Sequence, residues 1–213
     1  MPDHPSDAVA IQDYGWSSAE AAYSASYLYP PIVTQVEKLR PARILDLGCG
    51  NGHLASVLTA HGNKVVGVDA DSGGIALAQA AWPGADFRVC NVGDAPPADF
   101  VAAPFDMIIS TEVVEHLFLP GQLFDFAGRC LAPGGVFLVS TPYHGWLKNS
   151  LISLSGKWDK HHHPSNDGGH IKFWSRRTLC SLGSQAGFRE KAFIGCGRFP
   201  FLWKSMLLVF EKA

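Results

Sequence analysis

Short apolar runs alternate with longer stretches of helical character through the middle of the chain. The runs that read as buried strands are 43–47 (RILDL), 64–68, 86–89, 105–109 (FDMII) and 136–140 (VFLVS). The intervening stretches that read as helices are 54–60, 72–81 and 120–131. This strand–helix–strand repetition predicts a doubly wound α/β fold, in which a mostly parallel sheet carries helices on both faces.

The beginning of the chain departs from this rhythm. Residues 17–39 read as helix, with Ser17 or Ser18 as the N-cap. The pair Pro30-Pro31 interrupts this stretch, so we expect two helices that meet at a bend.

The end of the chain also differs, because two strands follow one another without a helix between them. A helix over 175–185 precedes strands over 188–194 and 205–211. The short non-helical link between the strands predicts an antiparallel hairpin at one edge of the sheet. With no repeat or linker to divide it, the chain 1–213 is expected to form one domain.

Composition narrows the class of protein. The 213 residues are 47% hydrophobic and 17% charged, which is typical of a globular chain, and the net charge of -2 gives no basic surface for nucleic acid. The five cysteines are scattered without a C-x-x-C pair, which favours free thiols in a reducing compartment. No run reads as a secretory signal or a membrane span, so we expect a cytoplasmic protein.

The segment that ends the first strand carries the strongest chemical signal. Asp46 stands before a G-x-G-x-G turn formed by Gly48, Gly50 and Gly52, with Cys49 inside it. Dinucleotide-binding sites use G-x-G-x-x-G and bind a phosphate, which a neighbouring carboxylate would repel. The pattern therefore favours a cationic ligand, such as a sulfonium with an ammonium group, over either a nicotinamide dinucleotide or a purely structural turn.

Polar residues follow the next two strands at the same edge of the sheet. Asp69 ends the second strand, where an acidic side chain can accept hydrogen bonds from both hydroxyls of a ribose. Asn91 and Val92 follow the third strand, where the amide side chain and the backbone N–H can bind an adenine. Together these positions predict a nucleoside-bearing ligand.

With these residues in place, the chain resembles the class I S-adenosylmethionine-dependent methyltransferases. The segments that carry the resemblance are ILDLGCGNG, VVGVDAD, FDMIISTEVVEHL and LAPGGVFLVSTP. It implies a Rossmann-like sheet of seven strands whose last strand is antiparallel. STEVVEHL, LAPGG and GGHIKFWSRRTL are also similar to the O-methyltransferases of ubiquinone biosynthesis.

The resemblance assigns roles to residues by position, with S-adenosylmethionine as the cofactor. It implies that Asp46 and the turn 48–52, including Cys49, surround the methionine part, and that Asp69 and Ala70 hold the ribose. Thr111 would line the site after the fourth strand. Among three tyrosines in the leading helix, Tyr27 is favoured over Tyr23 and Tyr29 to close over the cofactor.

Residues after the fourth strand are candidates for catalysis. If the segment turns as a helix, Glu112, Glu115 and His116 share one face. Two carboxylates and an imidazole then offer a site for a divalent metal such as magnesium, which the resemblance to the ubiquinone group also suggests. The alternatives are a structural pair of Glu115 with His116, or His116 alone as the general base.

The insertion at 143–172 is expected to cover the acceptor pocket, with residues 1–40 as a helical cap. Tyr143, His144 and Trp146 offer stacking, a second candidate base and a wall, and His170 is expected to face the substrate. Residues 147–158 are apolar with few charges. This composition is compatible with a lid over the pocket, a helix that contacts the membrane surface, or a buried packing helix.

These patterns favour O-methylation of a hydroxyl, phenol or enol on a small molecule. N- or C-methylation is the alternative within the same class. The alternative hypotheses from other functional classes are a nicotinamide-dependent oxidoreductase and a non-catalytic scaffold on the same fold.

Overall fold

The computed structural model describes residues 14–162, 165 and 169–212, and its centre is one seven-stranded sheet. The strands are β1 (Arg43–Leu47), β2 (Lys64–Asp69), β3 (Asp86–Val89), β4 (Phe105–Thr111), β5 (Leu131–Pro142), β6 (Phe188–Cys196) and β7 (Ser205–Lys212). Their order is β3-β2-β1-β4-β5-β7-β6, and β7 is antiparallel to both of its neighbours. The expected doubly wound sheet with an antiparallel last strand and a terminal hairpin is confirmed.

Eight helices are described. They are α1 (Ala25–Leu39), α2 (His53–Ala60), α3 (Ser72–Ala81), α4 (Ala98–Ala102), α5 (Gly121–Cys130), α6 (Trp146–Leu154), α7 (Trp158–His162) and α8 (Arg176–Gln185). The helix α4, which sequence reasoning missed, is one turn long and buries only Phe100. No helix among the described residues is long and apolar enough to span a membrane.

The sheet has a hydrophobic core on each face because its strands alternate their side chains. On β4, Met107 and Ile109 face one cluster with α1, α2 and α3, whereas Ile108 faces the other with α4, α5 and α8. Strands β1, β5 and β7 divide their apolar residues between the same two clusters. Burial on both faces explains why these strands read as continuous apolar runs.

The helix α1 corrects the expected bend. It begins at Ala25 rather than near Ser17, and it continues through Pro30 and Pro31 to Leu39. Leu28, Ile32 and Val36 form one buried stripe that crosses the prolines. Packing of this stripe against the sheet outweighs the backbone hydrogen bonds that the two prolines cannot donate.

The order of the strands sets the position of any ligand. The chain runs outward from β1 through β2 to β3, then returns to β4 on the other side of β1. The connection after β1 therefore leads to one side of the sheet and the connection after β4 leads to the other. This divergence opens a crevice at the carboxyl ends of the two strands. The glycine turn, Asp69 and the residues after β4 all lie at this edge.

The close contact of α8 with β7 yields a test of core packing. A Cβ added to Gly183 would lie 2.8 Å from Phe210 Cε1, whereas one added to Gly128 in α5 would lie 3.6 Å from the Phe188 ring. We expect Gly183→Ala to lower the free energy of unfolding by about 1–2 kcal/mol through overpacking. Gly128→Ala is the matched control, and it should gain up to about 1 kcal/mol from helix propensity. Urea unfolding of both variants measures this, and equal stabilisation of the two would contradict the packing described.

Candidate active site

The glycine turn after β1 is fixed by its own backbone. Gly48, Gly50 and Gly52 have φ values of 83°, 52° and 75°, which residues that carry a Cβ rarely adopt. The N–H groups of Gly48 and Cys49 donate to the carbonyl of Val68 at 2.8 and 3.0 Å. The turn is therefore held against the end of β2, which brings the residues predicted for the methionine part close to Asp69.

Two side chains pack where the glycines lack a Cβ. Val113 lies against Gly48, and a Cβ at Gly50 would lie 2.6 Å from Cζ2 of Trp16. The aromatic ring on the turn is thus Trp16, which the sequence analysis did not single out. The signal available in the sequence was weak, because a single tryptophan ahead of α1 has no fixed spacing to the turn.

Asp46 is a buried carboxylate without a compensating group. Its side chain is 1% exposed, and neither oxygen has a hydrogen-bond partner among the described residues. Burial raises the pKa of Asp46 to about 7, and the negative charge of Asp69 adds to the effect, whereas the nearby Ala55 backbone N–H opposes it. An unpaired buried carboxylate is costly for the fold and suits a ligand that brings a positive charge.

Asp69 is held in place by backbone donors. Gly50 N–H donates to Oδ2 at 2.8 Å, and Asp71 N–H donates to Oδ1 at 2.9 Å. Burial raises the pKa of Asp69, while these two donors act in the opposite direction. The carboxylate therefore has a fixed orientation beside the turn, as ribose recognition would require.

The remaining residues predicted for the cofactor lie around this edge. Ala70 follows Asp69 and is half-buried. The side-chain oxygen Oδ1 of Asn91 accepts from Gly93 N–H at 2.9 Å, and the half-buried Val92 packs against the core. Thr111 ends β4 and pairs with Ser140 of β5.

Glu112 corrects the predicted helical face. Its φ of 55° is left-handed, and the segment from 112 to 116 forms a turn instead of a helix. Ser140 Oγ donates to Glu112 Oε1 at 2.9 Å and Ser205 Oγ donates to Oε2 at 3.1 Å. The expected metal set of Glu112, Glu115 and His116 is therefore wrong in its first member, which is turned toward β5 and β7.

The structure instead groups Glu115 and His116 with His170. One ligand atom from each of these residues lies within 4.8 Å of the others. Glu115 is 1% exposed with no hydrogen-bond partner for either oxygen among the described residues, and His170 Nε2 lies 4.0 Å from Oε1. Burial raises the pKa of Glu115 well above its usual range, and Glu112 adds to this. Burial, with His116 nearby, lowers the pKa of His170 to about 4.

The approach of His170 depends on backbone contacts between distant segments. The N–H groups of Ile171 and Lys172 both donate to the carbonyl of Glu115 at 3.0 Å. Trp174 Nε1–H donates to the carbonyl of Val114 at 3.4 Å. These bonds hold the segment before α8 beside the turn after β4, which no local pattern in the sequence indicates.

Tyr14 links the candidate ribose site to this cluster. Its N–H donates to Asp71 Oδ2 at 3.0 Å, and its ring meets that of His116 edge-on at a centroid distance of 5.8 Å. The pKa of Tyr14 is raised by burial first and then by Asp69, Asp71 and Glu115. This residue too was missed by sequence reasoning.

Tyr27 lies near the start of β7. Lys204 Nζ is 4.9 Å from the centroid of its ring, and the neighbouring Ser205 hydroxyl partly offsets the rise that burial causes in its pKa. Tyr29 stacks on His53, and Tyr23 is exposed. Tyr27 therefore lies beside Lys204 and Ser205, and its closing over the cofactor stays a prediction.

The residues predicted in the insertion have different environments. Tyr143 is buried against Phe193 and Trp203, and its stacking on an acceptor stays a prediction. His144 is buried, its ring contacts those of His162 and Phe173, and burial lowers its pKa to about 4. Trp146, at the start of α6, is 77% exposed.

The helix α6 is not a buried packing helix. Lys148 is its one buried residue, whereas Leu151 and Leu154 are exposed. This excludes the packing alternative and leaves a lid or a helix at a membrane surface.

Comparison with known proteins identifies the family. Residues 22–190 match the Methyltransferase domain family. The chain is 37% identical over 152 residues to a probable S-adenosylmethionine-dependent methyltransferase of Mycolicibacterium smegmatis, covering 71% of this chain and 54% of that protein. It is 38% identical over 119 residues to a ubiquinone biosynthesis O-methyltransferase of Azorhizobium caulinodans, covering 55% and 47%. The chain spans about half the length of the curated relatives it matches.

Solved structures share the fold. The magnesium protoporphyrin IX methyltransferase of Synechocystis, solved with S-adenosylhomocysteine, aligns with a TM-score of 0.67 at 14% identity, covering 87% of this chain and 82% of that one. The PH0226 protein of Pyrococcus horikoshii aligns with a TM-score of 0.66 at 22% identity, covering 86% and 87%.

The chain therefore belongs to the methyltransferase domain family, and it is a class I S-adenosylmethionine-dependent methyltransferase domain.

The environment of Asp46 predicts a pH-dependent affinity. Below about pH 7 the buried carboxyl holds a proton in the unliganded protein, and the ammonium group of S-adenosylhomocysteine must displace it. We expect the affinity for S-adenosylhomocysteine to rise with pH up to about 7 and then level off. Calorimetry in buffers of different ionisation enthalpy should show release of a proton below pH 7.

Asp46→Asn should separate affinity from stability. Loss of the charged hydrogen bond expected between the Asp46 carboxylate and the ligand ammonium group should weaken S-adenosylhomocysteine binding roughly 10- to 100-fold. The folded state of the wild type binds more protons at Asp46 than the unfolded chain between about pH 4 and 7, so its stability falls as pH rises through that range. The variant should therefore unfold at a higher temperature than the wild type at pH 7.5. Asp125→Asn, an exposed change on α5, is the control, and a less stable Asp46→Asn would count against this account.

Proposed function

We propose that this domain transfers the methyl group of S-adenosylmethionine to a hydroxyl, phenol or enol oxygen of a small molecule. The observation that carries the proposal is the unpaired, buried Asp46 beneath the glycine turn, with a cluster of one carboxylate and two imidazoles across the crevice. The first fits a cationic methyl donor, and the second fits removal of a proton from an acceptor.

The cofactor would lie along the carboxyl ends of β1, β2 and β3. In this arrangement Asp46 binds the ammonium group and the turn 48–52 approaches the methionine part. Asp69 accepts from the ribose hydroxyls, and Asn91 with Val92 contacts the adenine. When bound, S-adenosylmethionine supplies a methyl group made electrophilic by the sulfonium charge.

His116 is the proposed general base. Val113, in the same turn, packs on Gly48, which places this turn beside the expected methionine part. The acceptor oxygen forms its bond to the methyl carbon as the carbon–sulfur bond breaks, leaving a neutral thioether. The acceptor proton passes to His116, and Glu115 stabilises the resulting imidazolium. His144 is less suited, because it is buried among side chains of the insertion.

The proton-accepting cluster favours oxygen as the acceptor atom. A hydroxyl must lose its proton to become a strong nucleophile, whereas a neutral amine attacks through its lone pair. The named relatives of the ubiquinone group are O-methyltransferases, which supports the same choice.

Glu115, His116 and His170 also fit a divalent cation. The Glu115 carboxylate has no hydrogen-bond partner among the described residues and lies 4.0 Å from His170 Nε2, and burial keeps His170 neutral, as a ligand must be. Two imidazoles and one carboxylate suit manganese, iron or zinc better than the magnesium expected from sequence. Such a cation would lower the pKa of an acceptor hydroxyl.

The methyl-transfer proposal is tested with S-adenosylmethionine carrying a labelled methyl group and a panel of phenols, enols, amines and carbon nucleophiles. Label at oxygen in the product is the expected result. Binding of NAD without S-adenosylhomocysteine, label only at nitrogen or carbon, or cofactor binding with no transfer would each contradict it.

Replacement of the candidate bases distinguishes them. We expect His116→Ala to lower kcat/KM by about 10²–10⁴ with little change in S-adenosylhomocysteine affinity, because only proton transfer is lost. His144→Ala should have a smaller effect, and the exposed His61→Ala should have none. A larger loss in His144→Ala than in His116→Ala would transfer the role to His144.

Metal binding is tested apart from activity. Titration of manganese or zinc into the chain should show one site that is lost in Glu115→Gln and in His170→Ala. Glu112→Gln is the matched control, since its carboxylate is bonded to Ser140 and Ser205, and it should keep the site. Full methyl transfer in excess chelator would show that the reaction does not need the metal.

A further inference from the structure

Three basic residues from two segments lie near the start of β7. Lys148 comes from the first turn of α6, and Arg198 and Lys204 come from the loop joining β6 to β7. Lys148 Nζ–H donates to the carbonyl of Lys204 at 3.2 Å. After burial, the charge of Arg198 is the next cause that lowers the pKa of Lys148, to about 8. The cluster thus places three positively charged residues around the start of β7.

These cations lack matching carboxylates. Among the described residues, none of the three has a carboxylate oxygen within 4.0 Å. Lys148 is only 6% exposed, and a buried ammonium without a counterion is costly. The carboxylate that acts on it electrostatically is Glu112, but Ser140 and Ser205 already hold both of its oxygens. The positive charges of the three side chains therefore exceed the negative charge of the carboxylates around them.

The cluster adjoins the acceptor side of the crevice. Tyr143 N–H, directly after β5, donates to the carbonyl of Lys204 at 3.0 Å, and Ser205 pairs with Pro142. The Lys204 ammonium lies 4.4 Å from the ring centroid of Tyr23 and 4.9 Å from that of Tyr27. Lys204 Nζ also donates to the Tyr23 hydroxyl oxygen at 2.6 Å, so its ammonium has a neutral hydrogen-bond partner but no anion among the described residues.

We propose that Lys148, Arg198 and Lys204 bind a carboxylate or phosphate group carried by the methyl acceptor, which makes that acceptor an anion. The inference rests on the proposed function, since it names the substrate class of the same site. A planar guanidinium and two ammonium groups match the oxygens of either anion. The burial of Lys148 favours a small group that enters the site over the flat surface of a lipid bilayer.

The experiment compares matched small probes on the full chain saturated with S-adenosylhomocysteine. The probes are 3-hydroxybenzoate, 3-hydroxyphenyl phosphate and the uncharged 3-hydroxybenzamide, and binding is measured by calorimetry. We expect at least one anionic probe to bind roughly tenfold or more tightly than the amide, as charged hydrogen bonds would give. The carboxylate and phosphate arms show which anion is preferred.

Variants assign the preference to the cluster. Lys148→Met keeps the length of the aliphatic stem, and Arg198→Gln changes an exposed loop residue, so that a folding defect in the first leaves the second informative. Both should lose the preference for the anion, and Lys148→Arg should recover part of it. Lys38→Met, an exposed change at the far end of α1, should keep it.

The outcomes separate this inference from the proposed function. Failure to bind S-adenosylhomocysteine would remove the proposed function itself. Normal cofactor binding with equal or absent binding of the charged and uncharged probes, or a preference that survives in both variants, would overturn only the anion site. The anion site would also be overturned if the chain bound phosphatidylglycerol vesicles through Arg198 and did not discriminate among the three probes. That result would indicate that the cluster binds a lipid surface.

Discussion

The constraint on which the site depends is an uncompensated negative charge buried at the end of the first strand. Asp46 has no protein group to neutralise it among the described residues, and the backbone that follows leaves the strand through positive φ angles instead of covering it. A fold selected only for stability would pair or remove such a carboxylate. Its retention beside a glycine turn makes sense when a ligand supplies the positive charge, and the methyltransferase family provides such a ligand.

Cofactor and acceptor residues are organised in different ways. The candidate cofactor residues follow successive parallel strands, so the sheet alone brings Asp46, Asp69 and Asn91 to one edge. The acceptor side is assembled from the leading segment, the turn after β4 and the segment before α8. Tyr14 joins the two, because it is bonded to Asp71 and its ring contacts that of His116.

The left-handed conformation of Glu112 divides the acceptor side into two parts. Glu112 turns toward Ser140 and Ser205, and Glu115, three residues later, faces His116 and His170. Two acidic residues that are close in sequence therefore serve separate environments. One supports a cluster that can take up a proton or bind a cation, and the other adjoins the basic cluster of Lys148, Arg198 and Lys204. An acceptor lying between them would be oriented by its anionic group while its hydroxyl faces the imidazoles.

The sequence by itself determined the sheet and the candidate cofactor residues at its edge, because both follow from local patterns. Apolar runs mark buried strands, and the glycine turn with its preceding acid needs no distant partner to be recognised. The tertiary structure alone decided which residues meet at the proposed acceptor side. Packing carried α1 through its two prolines, a positive φ at Glu112 broke the expected helical face, and backbone bonds to Glu115 brought in His170 from more than fifty residues away. Contacts between distant segments depend on how helices and loops pack, and no periodicity along the chain records them.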